Sequence, residues 1–301
     1  MKWWLRTWEE QLVAGLDRML GFPRERKRFL KAHGYPLNLK QPTSFNEKIC
    51  WKKIYDRNPI LPVIADKYRV RDYVKSVLGE AEAERILIPL LAVADRPEDI
   101  DFEALPNQFV VKSNHGSGNN LIVTDKSQFD QAAFMQEVEG WLKAPYGLRN
   151  HEWAYTQIPR KIMVETLLLD QGGSIPADYK FSMIHGTCSF IQVDQGRYGN
   201  FTRALFDANW QYLDVAWKRA QGAQLPPPAR LDDMLALAER LSAEFDYIRV
   251  DFYALNDRIY LGELTNYPAR GRGRFKPAEF DFEVGRRWSL AGAASGTDSG
   301  R

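Results

Sequence analysis

An α+β fold is predicted by three observations. The N-terminal part carries helical spacing and helix-start signals; the middle breaks into short β-type runs separated by turns rich in glycine and asparagine; the last part returns to one helix followed by two strands. With 301 residues, 45% hydrophobic and 27% charged, the chain can bury a sizeable core in one large domain or two intimate ones.

At the start, Trp4, Leu5, Trp8, Leu12, Val13, Leu16, Met19 and Leu20 recur at helical spacing, with Trp3 beside them. Such a stripe packs against its own protein or a partner more often than it docks on a membrane. Tryptophan and leucine among basic residues are nevertheless also the make-up of interfacial helices, so residues 1–20 are a candidate for peripheral membrane or partner contact. Residues 24–56 read as helical and basic, broken at Gly34-Tyr-Pro36 and Gln41-Pro-Thr-Ser44. Ser44-Phe-Asn-Glu47 has the spacing of a capping box, and another helix is expected from Asp66 to a stop at Gly79. Arg85-Ile-Leu-Ile-Pro89-Leu-Leu reads as a strand ending at a proline.

Strands follow at Gln108–Lys112, Leu121–Thr124, Lys161–Glu165, Tyr179–Ile184 and Cys188–Val193. A helix near Arg230–Phe245 leads to strands Tyr247–Ala254 and Arg258–Leu264, joined through Asn256-Asp257 as a tight hairpin. The small, polar residues at the end are expected to be disordered. The expected division is a helical extension at 1–58, a region at 59–108, a nucleotide-binding domain at 109–288 and a tail at 289–301.

Several function classes are excluded. A net charge of +2, with Lys and Arg spread along the chain, leaves no nucleic-acid footprint. Cys50 and Cys188 lack the spacing of a zinc or redox site and suit a reducing cytoplasm. The opening residues are too charged for a signal peptide, and no run approaches the ~20 apolar residues of a spanning helix. A cytoplasmic protein is expected, with the inner membrane face open to it.

Two constellations carry chemistry. Val110-Val-Lys112 runs into Ser-Asn-His115-Gly116-Ser117-Gly118, a lysine at a strand end followed by a loop whose glycines let backbone N–H groups approach a polyphosphate. A lysine in an apolar strand needs a reason, because burying it unpaired is expensive. In the final hairpin, Arg249 and Asp251 share a strand face, and Glu263 can lie opposite Asp251. Adjacent carboxylates repel unless a hard cation such as magnesium joins them, although an Arg–carboxylate cluster is an equally good reading of the hairpin by itself.

The order of these features resembles the ATP-grasp ligases. More closely, Ser44-Phe-Asn-Glu-Lys48, Asp66-Lys-Tyr68, Phe109-Val-Val-Lys-Ser-Asn-His-Gly-Ser-Gly118, Glu152-Trp-Ala-Tyr155, Asp178-Tyr-Lys-Phe181 and Gly262-Glu-Leu-Thr265 resemble the TupA-like (teichuronopeptide-biosynthesis) ATP-grasp proteins over residues 40–288. The resemblance implies two α+β subdomains clasping ATP, with ATP and Mg2+ as cofactors. By position Arg71 matches a phosphate-contacting lysine, Lys112 the second such lysine, and His115 to Gly118 the closing flap. Backbone groups after Glu165 would meet adenine and Asp178 the ribose, with Lys180 on the same strand face. Asp251 and Glu263 match the metal ligands, and Arg249 the arginine that steadies the transition state. The usual Glu-x-Asn is replaced by Glu263-Leu-Thr265, so Thr265 and Asn266 compete as the third metal ligand. Arg270, in the loop Tyr267-Pro-Ala-Arg-Gly-Arg-Gly-Arg274, is a candidate contact for an acidic substrate.

The implied reaction is a carboxylate–amine ligation through an acylphosphate, modifying a uronic acid of a surface polysaccharide or its precursor with an amino acid or amine. A sugar kinase, a glycosyltransferase of the same pathway and a non-catalytic scaffold are the rival readings.

Overall fold

A computed structural model describes residues 3–195 and 201–290. The chain divides into two compact units, one of Met1–Phe22, Arg57–Pro176 and Tyr253–Leu264, the other of Pro23–Asp56, Ala177–Phe252 and Thr265–Arg301. From residue 291 onward, the expected tail lies outside the described residues.

The first unit is built on four strands, β1 (Leu90–Ala94), β2 (Phe109–Ser113), β3 (Asn120–Val123) and β4 (Ile162–Thr166), in the order β1-β4-β2-β3 and antiparallel throughout. Alternation along β2 sends Phe109 and Val111 into a core with Val123, Ile162, Val164 and, from the helix Gln131–Lys143, Phe134 and Val138. Asp130 caps that helix by accepting from the Ala133 amide at 3.0 Å. Val110 and Lys112 face the other way, and because Val110 pairs with Glu165, Lys112 and Glu165 are diagonal neighbours on one face.

One expectation is corrected in this unit. Residues Arg85 and Ile86 end a helix, Glu80–Ile86, because Glu-Ala-Glu-Ala-Glu-Arg is made of good helix formers; β1 starts after Pro89 rather than ending there. The helix Trp3–Met19 forms, and of the alternatives for its apolar stripe the structure does not show packing on its own protein: Trp8 and Leu12 are each 62% exposed. The helix is held by its polar side instead, where buried Asp17 bonds His151 Nε2 at 2.7 Å and the His151 ring meets Phe22 edge-on.

The second unit holds β5 (Asp178–Ile184), β6 (Thr187–Gln195), β7 (Thr202–Phe206), β8 (Tyr212–Leu213), β9 (Ala216–Trp217), β10 (Ala220–Gln221) and β11 (Tyr247–Leu255). All but β9 belong to one sheet, in the order β10-β7-β6-β5-β11, with β8 on β7. Strand β12 (Arg258–Thr265) follows β11 through Asn256 and Asp257, whose φ values of 48° and 59° are those of the anticipated tight turn. Strand β13 (Phe275–Lys276) pairs with β9.

The capping box is present: the Glu47 amide donates to Ser44 Oγ at 3.2 Å and Glu47 Oε2 accepts from the Ser44 amide at 3.1 Å, opening the helix Phe45–Tyr55. Phe45, fully buried, sits against the rings of Phe190, Trp217, Tyr247, Phe275 and Trp288, which fixes this helix on the sheet. The helix Glu279–Arg287 crosses the same N-terminus through Gly285, where a Cβ would lie 2.1 Å from the Thr43 carbonyl oxygen and 2.8 Å from the Phe45 amide. Gly285→Ala is therefore expected to cost about 3 kcal/mol, since backbone rather than a flexible side chain must yield. Urea denaturation of the variant measures it.

Beside this crossing, Asp281 accepts from the Asn46 amide at 3.0 Å and from the Tyr35 hydroxyl at 3.2 Å, yet burial pushes its carboxyl up from the usual value to about 6. The folded pKa lies above the unfolded one, so this stabilising contribution is complete below pH ~4 and is lost as pH rises through about 6. Asp281→Asn, which mimics the protonated form, should gain about 2 kcal/mol on wild type between pH ~4.5 and ~7, measured by urea midpoints at both pH values.

Candidate functional site

In the first unit, cationic side chains gather around one carboxylate. Lys112 Nζ bonds Glu165 Oε2 at 2.7 Å, and Arg71 Nη1, which donates to the Ile88 carbonyl at 2.9 Å, lies 3.8 Å from Glu165 Oε1. The register of β2 on β4 sets this up, and it answers why a lysine stands in that apolar strand. Glu165 thus organises the two cations by its side chain, in addition to any use of the backbone that follows it.

The loop after β2 is built from its base. Buried Asn114 donates to Asp66 Oδ1 at 2.9 Å and to the Pro159 carbonyl at 2.8 Å, and its Oδ1 accepts from the Lys161 amide at 2.7 Å. Gly116 has φ of 80°, and a Cβ there would strike the Tyr146 ring at 2.7 Å, so this position requires glycine twice over. The tip, Ser117 and Gly118, is exposed, with the Ser117 amide donating to the Tyr146 hydroxyl at 3.2 Å. His115 is buried, and burial together with the Arg160 and Lys67 charges lowers it to about 4, so it is a neutral imidazole near pH 7.

Lys67, assigned no role by sequence reasoning, belongs here. Its Nζ donates to the Gly116 carbonyl at 2.5 Å and its amide to the Asn114 carbonyl at 3.0 Å. Burial lowers its pKa, with Glu263 and Glu165 raising it and Lys112 lowering it. The available signal was the Asp66-Lys67-Tyr68 motif; position matching placed the cation at Arg71, one helical turn further on.

In the second unit, β5 and β11 bring together Asp178, Lys180, Arg249 and Asp251. Arg249 Nε reaches Asp251 Oδ1 at 2.6 Å, and its Nη2 reaches Asp251 Oδ2 at 2.5 Å and Thr265 Oγ1 at 3.1 Å. Lys180 Nζ bonds Asp178 and lies 3.1 Å from Asp251 Oδ2. Asp251 is 2% exposed. Two carboxylates and two cations balance, as buried charges must. Asn266, next along the chain, is fully buried.

The oxygens of Asp251 and Thr265 are hard donors of the class magnesium takes, and Arg249 Nη2 contacts both. Among the described residues no group of three or more His, Cys, Asp or Glu is gathered to hold a metal. Glu263 belongs to the first unit and Asp251 to the second.

The face of the sheet beyond Lys180 is also charged. Gln192 pairs with Lys180 and Asp194 with Asp178 across β5 and β6, and Arg203 on β7 donates to Asp194 Oδ1 at 2.7 Å. Burial would raise Asp194, but the Arg203 bonds and the Lys180 charge outweigh it and hold the carboxyl low. Gln192-Val-Asp194 alternates polar with apolar in an otherwise apolar strand, which was the legible hint. Arg203 lies over the Trp217 ring, and the Lys218 amide next to that tryptophan donates to the Arg274 carbonyl at 3.1 Å. Partial desolvation and the charges of Arg203, Arg219, Arg270 and Arg272 pull Lys218 below the usual lysine range. Arg270 stands in a strained stretch: φ is 48° at Ala269 and 60° at Arg270, a loop fastened by Lys53 Nζ on the Arg270 carbonyl at 2.9 Å.

Residues 47–288 match the family described as TupA-like ATPgrasp. No curated protein matches the chain. Solved structures similar to it include D-alanine–D-alanine ligase from Bacillus anthracis, with 20% identity and a TM-score of 0.40 over 68% of this chain and 57% of that one. D-Alanine–D-alanine ligase from Helicobacter pylori gives 13% identity and a TM-score of 0.42 over 82% and 70%. For N5-carboxyaminoimidazole ribonucleotide synthetase from Thermus thermophilus the values are 12%, 0.40, 70% and 48%. The chain spans a little over half the length of the first of these.

Proposed function

We propose, from the premise that this chain belongs to the TupA-like ATP-grasp family, that it is an ATP-dependent ligase joining the carboxylate of an acidic sugar to an amine. The observation that carries the reading is the buried, charge-balanced set of Arg249, Asp251, Lys180 and Asp178, reaching Thr265. Burying four charges is costly for structure alone and recurs where charge has to be handled in a reaction.

In this reading Lys67, Lys112 and Arg71 hold phosphate oxygens of ATP, and the His115–Gly118 loop closes over them with backbone N–H groups. Asp178 receives the ribose. Asp251 and Glu263, with Thr265 or Asn266, would hold Mg2+, which would neutralise phosphate charge when bound. Arg249, on the same strand face as Asp251, offsets charge on the transferring phosphoryl group. A carboxylate oxygen of the acid attacks the γ-phosphorus and ADP leaves; the amine then attacks the acyl carbon, the C–O bond to phosphate breaks, and the amine loses a proton as the amide forms. The chain's residues position and neutralise, with no covalent enzyme intermediate. Arg270, supported by Lys218 and Arg219, draws the anionic substrate, which favours a uronic acid or a precursor bearing one.

The test is an ADP-release screen of uronic acids against amines, with product mass recorded and Lys112→Ala and Glu263→Ala as controls. ADP formation that needs both acid and amine is expected, lost in both variants. A stable phosphorylated sugar formed without amine would establish a kinase instead.

A further inference from the structure

Within the second unit, cations gather where the loop 267–274 meets the turn at Lys218. The Lys218 amide donates to the Arg274 carbonyl at 3.1 Å and Trp217 Nε1 to the Gly273 carbonyl at 2.7 Å, which fastens the two segments together. A Cβ at Gly273 would stand 2.2 Å from that Nε1, so the approach requires glycine. Both segments hold non-glycine residues in the left-handed region, Lys218 at φ of 63° and Arg270 at 60°. Partial desolvation and the charges of Arg203, Arg219, Arg270 and Arg272 all work against the Lys218 proton, so the grouping is one of like charges that the fold pays to keep. The nearby acids are engaged elsewhere: Asp194 takes Arg203, and Glu25 takes Lys53, with Arg272 at 3.9 Å. Among the described residues Lys218, Arg219 and Arg274 make no ion pair. The carbonyls of the loop are occupied too, by Lys53 on Arg270, His33 on Gly271, Trp217 on Gly273 and Lys218 on Arg274. What remains to offer a ligand is positive charge and donors.

We propose that this cluster holds a diphosphate, and that the acidic sugar arrives as a diphosphate ester; the second half of the inference rests on the ligase reading above. Two features select a diphosphate over the sugar carboxylate alone. One carboxylate offsets a single charge, whereas Lys218, Arg219 and Arg274 are all without an acidic partner, and guanidinium forks match phosphate oxygens. The reacting carboxylate is also needed elsewhere, beside Arg249 and Asp251 on β11. Strands β11, β5, β6 and β7 are successive neighbours, so Arg203 on β7, which lies over the Trp217 ring, is three strand spacings or about 14 Å across the sheet from Asp251. A sugar whose carboxylate sits at the β11 end leaves these cations for an anion beyond the far side of its ring, and a diphosphate there has the sign and the reach.

Binding is read by calorimetry on the full chain with magnesium and a non-hydrolysable ATP analogue in excess, so that turnover plays no part. The probes are glucuronate, glucuronate 1-phosphate, UDP-glucuronate, geranyl diphosphate and methylenediphosphonate. UDP-glucuronate is expected to bind at least ~10-fold more tightly than glucuronate or its 1-phosphate, with methylenediphosphonate competing for the same site. Lys218→Gln with Arg219→Gln and Arg274→Gln should weaken every diphosphate by at least ~10-fold while the circular dichroism stays that of wild type. Tighter binding of geranyl diphosphate than of UDP-glucuronate identifies a lipid carrier and the reverse a nucleotide carrier; either supports the site. The proposal is overturned if UDP-glucuronate binds no better than glucuronate or its 1-phosphate, or if the triple variant binds diphosphates as wild type does. Diphosphate binding that the variant loses, with no amide formed from any acid and amine, would remove the ligase reading and leave the diphosphate site; amide formed from free glucuronate without diphosphate binding would do the opposite.

Discussion

Lys112→Ala is expected to lower kcat/KM for ATP by about a hundred- to a thousandfold, the scale of losing one preorganised charged contact to a transferring phosphoryl group. The same change also touches stability, because Glu165 is largely buried and would keep Arg71, at 3.8 Å, and the charge of Lys67 in place of a direct hydrogen-bonded partner. A loss of about 1–3 kcal/mol from the stranded carboxylate is expected. The two effects separate in a double variant. Lys112→Ala with Glu165→Gln removes both charges, so thermal stability should recover while turnover stays low; recovery of turnover as well would make Lys112 a structural partner only.

Asp251→Asn should have the larger combined effect. Asp251 is the shared acceptor of Arg249 and Lys180, so neutralising it removes a carboxylate charge that both largely buried cations contact. Breaking a buried ionic set in this way costs about 3 kcal/mol. Turnover should fall by at least ~10³-fold, and the magnesium concentration giving half-maximal rate should rise by more than ~100-fold, since a direct ligand matters more than an outer partner. Thermal denaturation and a magnesium titration of ATP hydrolysis check both halves. A variant that is destabilised but keeps its magnesium dependence would assign the set to folding alone.

Much of this was readable beforehand where local chemistry decides conformation. Ser44 and Glu47 at capping-box spacing, Asn256-Asp257 between two apolar runs, and the short β-type runs of β2, β4, β5 and β6 each specify a structure within a few residues. Less legible were features fixed by distant partners. Strand β7, Thr202–Phe206, was not anticipated; it takes its place by pairing with β6. The direction of the Trp3–Met19 stripe depends on His151, more than a hundred residues away. The importance of Lys67 comes from the Gly116 carbonyl that it reaches, far along the chain. Arg249, Asp251 and Lys112 were legible because charge in an apolar strand demands an explanation, whereas Arg203 takes its meaning from its partner Asp194 on the neighbouring strand.

The ATP-grasp fold positions cations and carboxylates rather than a nucleophile, so the central claim is that oxygen leaves the acid with the phosphate. Galacturonate and glucuronate carrying a heavy-oxygen label in the carboxylate are incubated with ATP, magnesium and a mixture of amino acids, and the released phosphate is analysed by mass. Ligation through an acylphosphate predicts labelled phosphate appearing in step with amide product, in wild type and not in Lys112→Ala. Phosphate released without label, or label retained on a phosphorylated sugar, would contradict it.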